Sequence, residues 1–199
     1  MVPAMTRKIS FDYDQALATA TDLFWQSGYA ATGLRHLLKA MDIGEGSFYN
    51  TLGSKKQLYL ACLERYEHEV VDERIQVLLA APSAAAGIRG FFDRVLARLD
   101  DPATPSRMCM LAAMQSAEVL ADAELRERAE RGLTDLQALI RERLREDIER
   151  GLLPGTLDAD ASASLIVTYL QGLWRTALVT FERSAAQRQI DVLLTALGL

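Results

Sequence analysis

Seven apolar residues, Leu125, Ala129, Leu133, Leu136, Ile140, Leu144 and Ile148, recur at spacings of three and four. Such spacing lines up on one side of the chain only in an α-helix, where 3.6 residues make a turn. The stripe therefore commits residues from about 122 to 150 to one long helix with a buried apolar face. Arg and Glu fill its other face, and Gly151-Leu-Leu-Pro154-Gly155 ends it. The same period recurs elsewhere, and no run alternates with comparable strength as a strand does. The expected fold class is all-α, with about nine helices.

A first helix is expected from about Asp12 to Ser27, with Asp12 and Gln15 as a capping pair and Gly28 as a left-handed stop. A short second helix follows Thr32, where Leu34, Leu37, Leu38 and Met41 share a face. It stops near Asp42, a residue that tolerates left-handed geometry. A third segment, Glu45 to Thr51, points Phe48 inward together with the flanking Ile43 and Leu52, and leaves Ser47, Tyr49, Asn50 and Thr51 outward. After Gly53, Ser54-Lys55-Lys56-Gln57 is another capping box, opening a helix that runs to about Ala80. Further helices are expected at about 84–100, 105–120, 122–150, from Asp158 or Asp160 to about Arg183, and at 186–197. Residues 1–10 show no periodicity and are expected to form a mobile arm.

The chain has 199 residues, half of them hydrophobic and a quarter charged, enough for a sizeable core. A net charge of −5 does not itself point to nucleic acid. Residues 1–66, however, carry seven Lys/Arg against six acids, and the remainder 15 against 21. A DNA surface near the N-terminus is thus allowed. Cys62 and Cys109 form no metal-ligand spacing, so neither a metal nor a cofactor is expected. The first ten residues lack the apolar run of a secretory signal, and Gln171 and Arg175 interrupt the most apolar stretch, Leu165 to Phe181. A cytoplasmic location with reduced thiols is expected. The two histidines, His36 and His68, have no paired nucleophile or carboxylate in the pattern, which leaves a helical enzyme or small-molecule carrier as the alternative class.

Two short helices joined by a tight turn, with a third before them, make a helix-turn-helix. The second of the pair is short enough for its exposed face to enter a major groove about 12 Å wide. Gly44 and Gly46 at its start let backbone approach phosphate, Ser47 offers a hydroxyl, and Tyr49 donates from a rigid ring. Lys55 adds a charge beside the N–H groups that open the next helix.

Leu23-Phe-Trp-Gln-Ser-Gly-Tyr29, Ala31-Thr32, Ile43-Gly-Glu-Gly-Ser-Phe-Tyr49, Gly53-Ser-Lys55 and Leu58 together resemble the DNA-binding domain of the TetR family. The resemblance covers residues 11 to about 60. It implies a helix-turn-helix domain over 11–54, then a connecting helix and a helical effector-binding and dimerisation domain over 55–199. It also implies DNA contacts at Thr32 and Gly33, at Gly44, Glu45, Gly46, Ser47, Tyr49, Asn50 and Thr51, and at Lys55. Gly33 stands where the family often has Ser or Thr, Asp42 replaces a common turn glycine, and Asn50 and Thr51 replace frequent Tyr/His residues, which alters base preference. Glu45 either accepts from a cytosine amine or serves only its helix N-terminus.

The implied function is a transcriptional repressor, released from a pseudo-palindromic operator by a small apolar or aromatic effector. The Gly151–Pro154 break before a long apolar helix is similar to the family's entry into its dimerisation helices. Val167, Leu170, Gln171, Trp174 and Leu178 along that helix, with Ile190, Leu193, Leu194 and Leu197 along the last, are candidates for a homodimer interface. Phe91, Phe92, Met108, Cys109, Met110, Met114, Gln115 and Trp174 are candidates for an effector pocket, methionine being readily repacked, although each also suits ordinary core. Arg107-Met-Cys-Met-Leu111 resembles the cysteine segment of electrophile-sensing members of the family. Cys109 is therefore either a reactive thiol, its pKa lowered if Arg107 faces the sulfur, or inert core.

Overall fold

Among the residues described by the computed structural model, 11–199, all regular structure is helical. The arm expected over residues 1–10 lies outside them. The chain divides into two compact units, one ending at Tyr66 and one spanning Glu67–Leu199.

In the first unit, α1 (Tyr13–Ala31) begins where the Asp12 carboxylate accepts from the Gln15 N–H at 3.1 Å. Gly28, at φ +75°, interrupts it at the expected place, and one further turn follows. Helices α2 (Leu34–Met41) and α3 (Glu45–Leu52) are linked through Asp42, which takes the left-handed conformation at φ 53°. The Ser54 Oγ then accepts from the Gln57 N–H at 3.1 Å and starts α4 (Lys55–Tyr66). Helix α1 packs on α2 and α4. Phe24, Leu37, Phe48, Leu58 and Leu63 are completely buried between them. Phe24 meets Tyr59 edge to face at 4.9 Å, and Trp25 meets Tyr66 likewise at 4.8 Å. These aromatic pairs fix how α4 lies across α1.

The second unit opens with a π-turn, Glu67–Val71, which leads into α5 (Asp72–Ala80). There follow α6 (Ala84–Asp100), a 3₁₀ turn (Ala112–Met114), α7 (Ala117–Ala121), α8 (Ala123–Glu149), α9 (Ala159–Ala177) and α10 (Arg183–Ala196). Counting Lys55–Ala80 as one interrupted helix gives nine among the described residues, with no strand. Helix α6 packs against α5, α8 and α10, and α8 packs along α9. Asp147, buried near the end of α8, accepts from the Ala84 N–H at 2.6 Å and pairs with Arg150 at 3.1 Å. The end of α8 is thereby pinned to the start of α6.

Two expected helices differ. The stretch 105–120 is not one helix but irregular chain, the 3₁₀ turn and the short α7. Met108, Cys109 and Met110 are buried in succession, which no single helical face allows. Helix α9 ends at Ala177 rather than near Arg183. The Glu182 carboxylate instead accepts from the N–H groups of Ser184 and Ala185, both at 2.8 Å, and starts α10 early. Among the described residues, no helix is long and apolar enough to cross a membrane.

Candidate nucleic-acid interface and ligand cavity

Phe48 and Leu52 anchor α3 in the first unit and turn its other face outward. Gly44, Glu45, Gly46, Ser47 and Asn50 are exposed, Thr51 is half-buried, and the Tyr49 ring is 49% exposed with its position set by an edge contact to Phe48 at 5.2 Å. The N-caps of α2 and α3, Gly33 and Gly44, make no side-chain capping bond, whereas acids or serine cap α1, α6, α8, α9 and α10. The first N–H groups of α2 and α3 thus lack a side-chain acceptor, and an anion satisfies such groups.

A Cβ added at Gly33, Gly44 or Gly46 meets nothing within 4 Å, so packing inside the protein does not demand glycine there. Lys55, at the first turn of α4, holds its ammonium 4.3 Å from the centre of the Tyr29 ring. Partial burial lowers its pKa, because the charged form loses water. Thr32 departs from the expected set. Its side chain is buried and its hydroxyl donates to the Gly28 carbonyl at 2.6 Å. That side chain locks the end of α1 and is not presented to a partner.

In the second unit, a narrow cavity of about 50 Å³ opens among α5, α6, the 3₁₀ turn, α8 and α9. Of the eight expected residues, Phe91, Cys109, Met114 and Trp174 line it. Phe92, Met108 and Met110 are buried core and do not line it. Gln115 is also outside the lining, but its amide donates to the Gln171 carbonyl at 3.0 Å, and Gln171 does line the cavity. Sequence reasoning missed Arg74 and Arg128, both part of the wall. Arginine carries a strong surface expectation, and no pattern in α5 marks Arg74 as interior. Arg74 is only 6% exposed and donates to the Cys109 Sγ at 3.5 Å. Arg107, by contrast, donates to the Leu99 carbonyl and stacks over Phe181. Cys62, in the first unit, is core, and burial pushes its thiol up to about 12.

Helices α9 and α10 are apolar on two sides. The protomer's own core takes up Val167, Leu170, Trp174, Ile190 and Leu194, which corrects the expectation that these side chains form a face for a second subunit. Of the remaining candidates Leu178 is exposed, and Gln171, Leu193 and Leu197 are half-buried. Outward apolar residues not foreseen are Leu165 on α9, Val179 just beyond it (89% exposed) and Val192 on α10 (70%). Gly172, on the outward side of α9, leaves space for a close helix neighbour.

The family described as "Bacterial regulatory proteins, tetR family" matches residues 16–62, and the "Tetracyclin repressor-like, C-terminal domain" matches residues 84–193. An uncharacterized HTH-type transcriptional regulator of Bacillus subtilis, YezE, is 30% identical over 200 residues, covering 97% of this chain and 100% of the relative. Among solved structures, a cysteine mutant of the TetR-family regulator CifR complexed with 26-base-pair operator DNA superposes with a TM-score of 0.85. It is 30% identical, over 94% of this chain and 97% of that one. A TetR transcriptional regulator from Chloroflexus aurantiacus gives a TM-score of 0.77 at 28% identity, over 92% and 93% of the two chains.

Proposed function

Because the chain belongs to the tetR family of bacterial regulatory proteins, we propose that it is a repressor that occupies a pseudo-palindromic operator as a homodimer and leaves it when a small apolar or aromatic effector enters the cavity. The observation that carries this reading is the surface of α2 and α3. Two helices start on exposed glycines without side-chain caps, and among the described residues a Cβ at either glycine meets nothing within 4 Å. Phosphate oxygens would fill the open N–H groups, with Ser47, Tyr49 and Lys55 adding donors around them. Asn50 and Thr51, beside Glu45, would face base edges, where sequence is read. A single two-turn helix reads few bases, so the operator needs a second copy related by a dyad.

The effector acts only if it binds the two states of the dimer unequally. The cavity supplies that inequality. At about 50 Å³ it holds a compact molecule only when side chains such as Met114 and Leu133 give way, so occupancy and rearrangement are linked. The protein binds its effector in the cytoplasm without chemical turnover. Electrophoretic shift on the DNA upstream of the gene tests the interface. Lys55→Gln should weaken binding to specific and random duplexes alike and flatten the salt dependence by about one counterion per subunit. An unchanged salt slope counts against contact by Lys55.

A thiol-sensing variant of this reading has one observation in its favour. Cys109 lines the cavity with the Arg74 guanidinium 3.5 Å from its sulfur. Its 3% exposure restricts access to reagents that enter through the cavity. Cys109→Ser should then retain operator binding and lose release by a small electrophile. Release at the wild-type dose excludes this route.

A further inference from the structure

The α8 side of the cavity is a fixed frame. Helix α8 packs on α6, α7 and α9, and its last turns are bonded to the chain between α5 and α6. Arg143 donates to the Ala81 carbonyl at 2.8 Å, Arg150 donates to the Pro82 carbonyl at 3.1 Å, and Asp147 accepts from the Ala84 N–H at 2.6 Å. Gly132, Leu133 and Leu136 of α8 wall the cavity on one side, and Val71 of the π-turn with Ile75 of α5 on another. Packing of this kind resists separation of the helices, so the easier way in is past a side chain.

Arg128 stands where such a side chain is needed. It belongs to the cavity wall, yet its side chain is 17% exposed, so it borders both the cavity and solvent. It leaves α8 four residues before Gly132, and its Nη1 lies 3.8 Å from where a Cβ on Gly132 would stand. Its Nη2 donates to Glu67 Oε2 in the π-turn, and the Glu67 side chain is 31% exposed. The pair thus runs from α8 to the π-turn along the rim of the cavity. A fully buried ion pair is costly to part, because each charge is left without water or partner. The charges of a rim pair regain water when they separate, and such pairs contribute little to stability. Arginine also has the rotamer freedom to swing aside while its helix stays in place.

We propose that Arg128 and Glu67 form the gate of the cavity. Paired, they close the way in between the π-turn and α8. When the Arg128 side chain rotates away, a small molecule passes to the buried Trp174 and Cys109. This inference rests on the reading of the cavity as the effector site and adds how that site is entered.

Quenching of tryptophan fluorescence by acrylamide, a small neutral probe, measures passage directly. The chain has two tryptophans, Trp25 and Trp174. In a Trp25→Phe background the signal comes from Trp174, in the cavity wall. The full-length protein in that background should be quenched slowly. Glu67→Gln and Arg128→Met break the pair, and each should raise the quenching constant severalfold. Arg128→Lys keeps the charge and should raise it less than Arg128→Met. Asp147→Ala loosens the far end of α8 without touching the gate and should leave quenching near its starting value. Thermal melts identify any variant that has failed to fold. Quenching that stays at its starting value in folded Glu67→Gln or Arg128→Met overturns the gate. A Trp174 quenched from the outset as fast as free tryptophan also overturns it. Equal access in Asp147→Ala does so too, because general loosening then accounts for the passage. Neither DNA nor effector takes part in this measurement. A gate that fails leaves the effector and repressor readings standing, and a protein that binds no operator sinks the repressor reading without touching the gate.

Discussion

Gly46 shows how a single residue separates folding from function. It sits inside α3, and a Cβ there meets open space. Glycine within a helix costs roughly 0.5–1 kcal/mol relative to alanine, so the free protein gains nothing visible from it. If close approach of a DNA backbone is the reason for it, Gly46→Ala should raise the unfolding free energy by about that amount while lowering operator affinity about tenfold. Urea melts and operator titration read the two effects. A variant that gains stability and keeps its affinity would show that the site tolerates a methyl group and that the glycine is incidental. Thr32 teaches the reverse. It was legible in the sequence as a DNA contact because the resemblance placed it there, yet its hydroxyl is spent on the Gly28 carbonyl. A motif position carries over a residue type, and the neighbouring backbone decides where the side chain goes.

At the scale of elements, what could be read in advance was periodicity and punctuation. The stripe from Leu125 to Ile148 and the caps at Asp12 and Ser54 are local facts, and α8, α1 and α4 start where these place them. The failures came from competition that no short window contains. Residues 105–120 have a helical composition, but burial of three consecutive side chains at Met108–Met110 wins over propensity. Glu182 captures two N–H groups and shortens α9 to begin α10. Arg74 was invisible because burial of a charge is a tertiary event. Asp147 is a comparable case, an acid in a charged helix face that turns out to be an interior acceptor for the start of α6. Asp147→Ala should cost about 2 kcal/mol, the usual penalty for a buried N–H left without its acceptor, and equilibrium denaturation should show it. A loss below about 0.5 kcal/mol would mean that water or Ser83 replaces the carboxylate.

For the whole molecule, the account requires two copies. The inward faces of α9 and α10 complete the core of one protomer, while Leu165, Leu178, Val179 and Val192 project outward from or beside the same helices. Joining those outward faces across a dyad removes apolar surface from water and yields a four-helix arrangement. Val192→Glu should therefore shift the protein to monomer in sedimentation analysis and lower operator affinity with it. Persistence of the dimer would place the interface on another face. The central claim is that paired α3 helices read adjacent major grooves on one side of a duplex. Hydroxyl-radical footprinting of the unliganded protein, at low salt, on the DNA upstream of its gene tests it most directly. The account predicts two dyad-related patches of protection on the same helical face, centred about one or two turns apart, both lost in a variant with Ser47, Tyr49 and Lys55 replaced by alanine. Protection without twofold symmetry, or a symmetric footprint that this triple variant leaves intact, would contradict it.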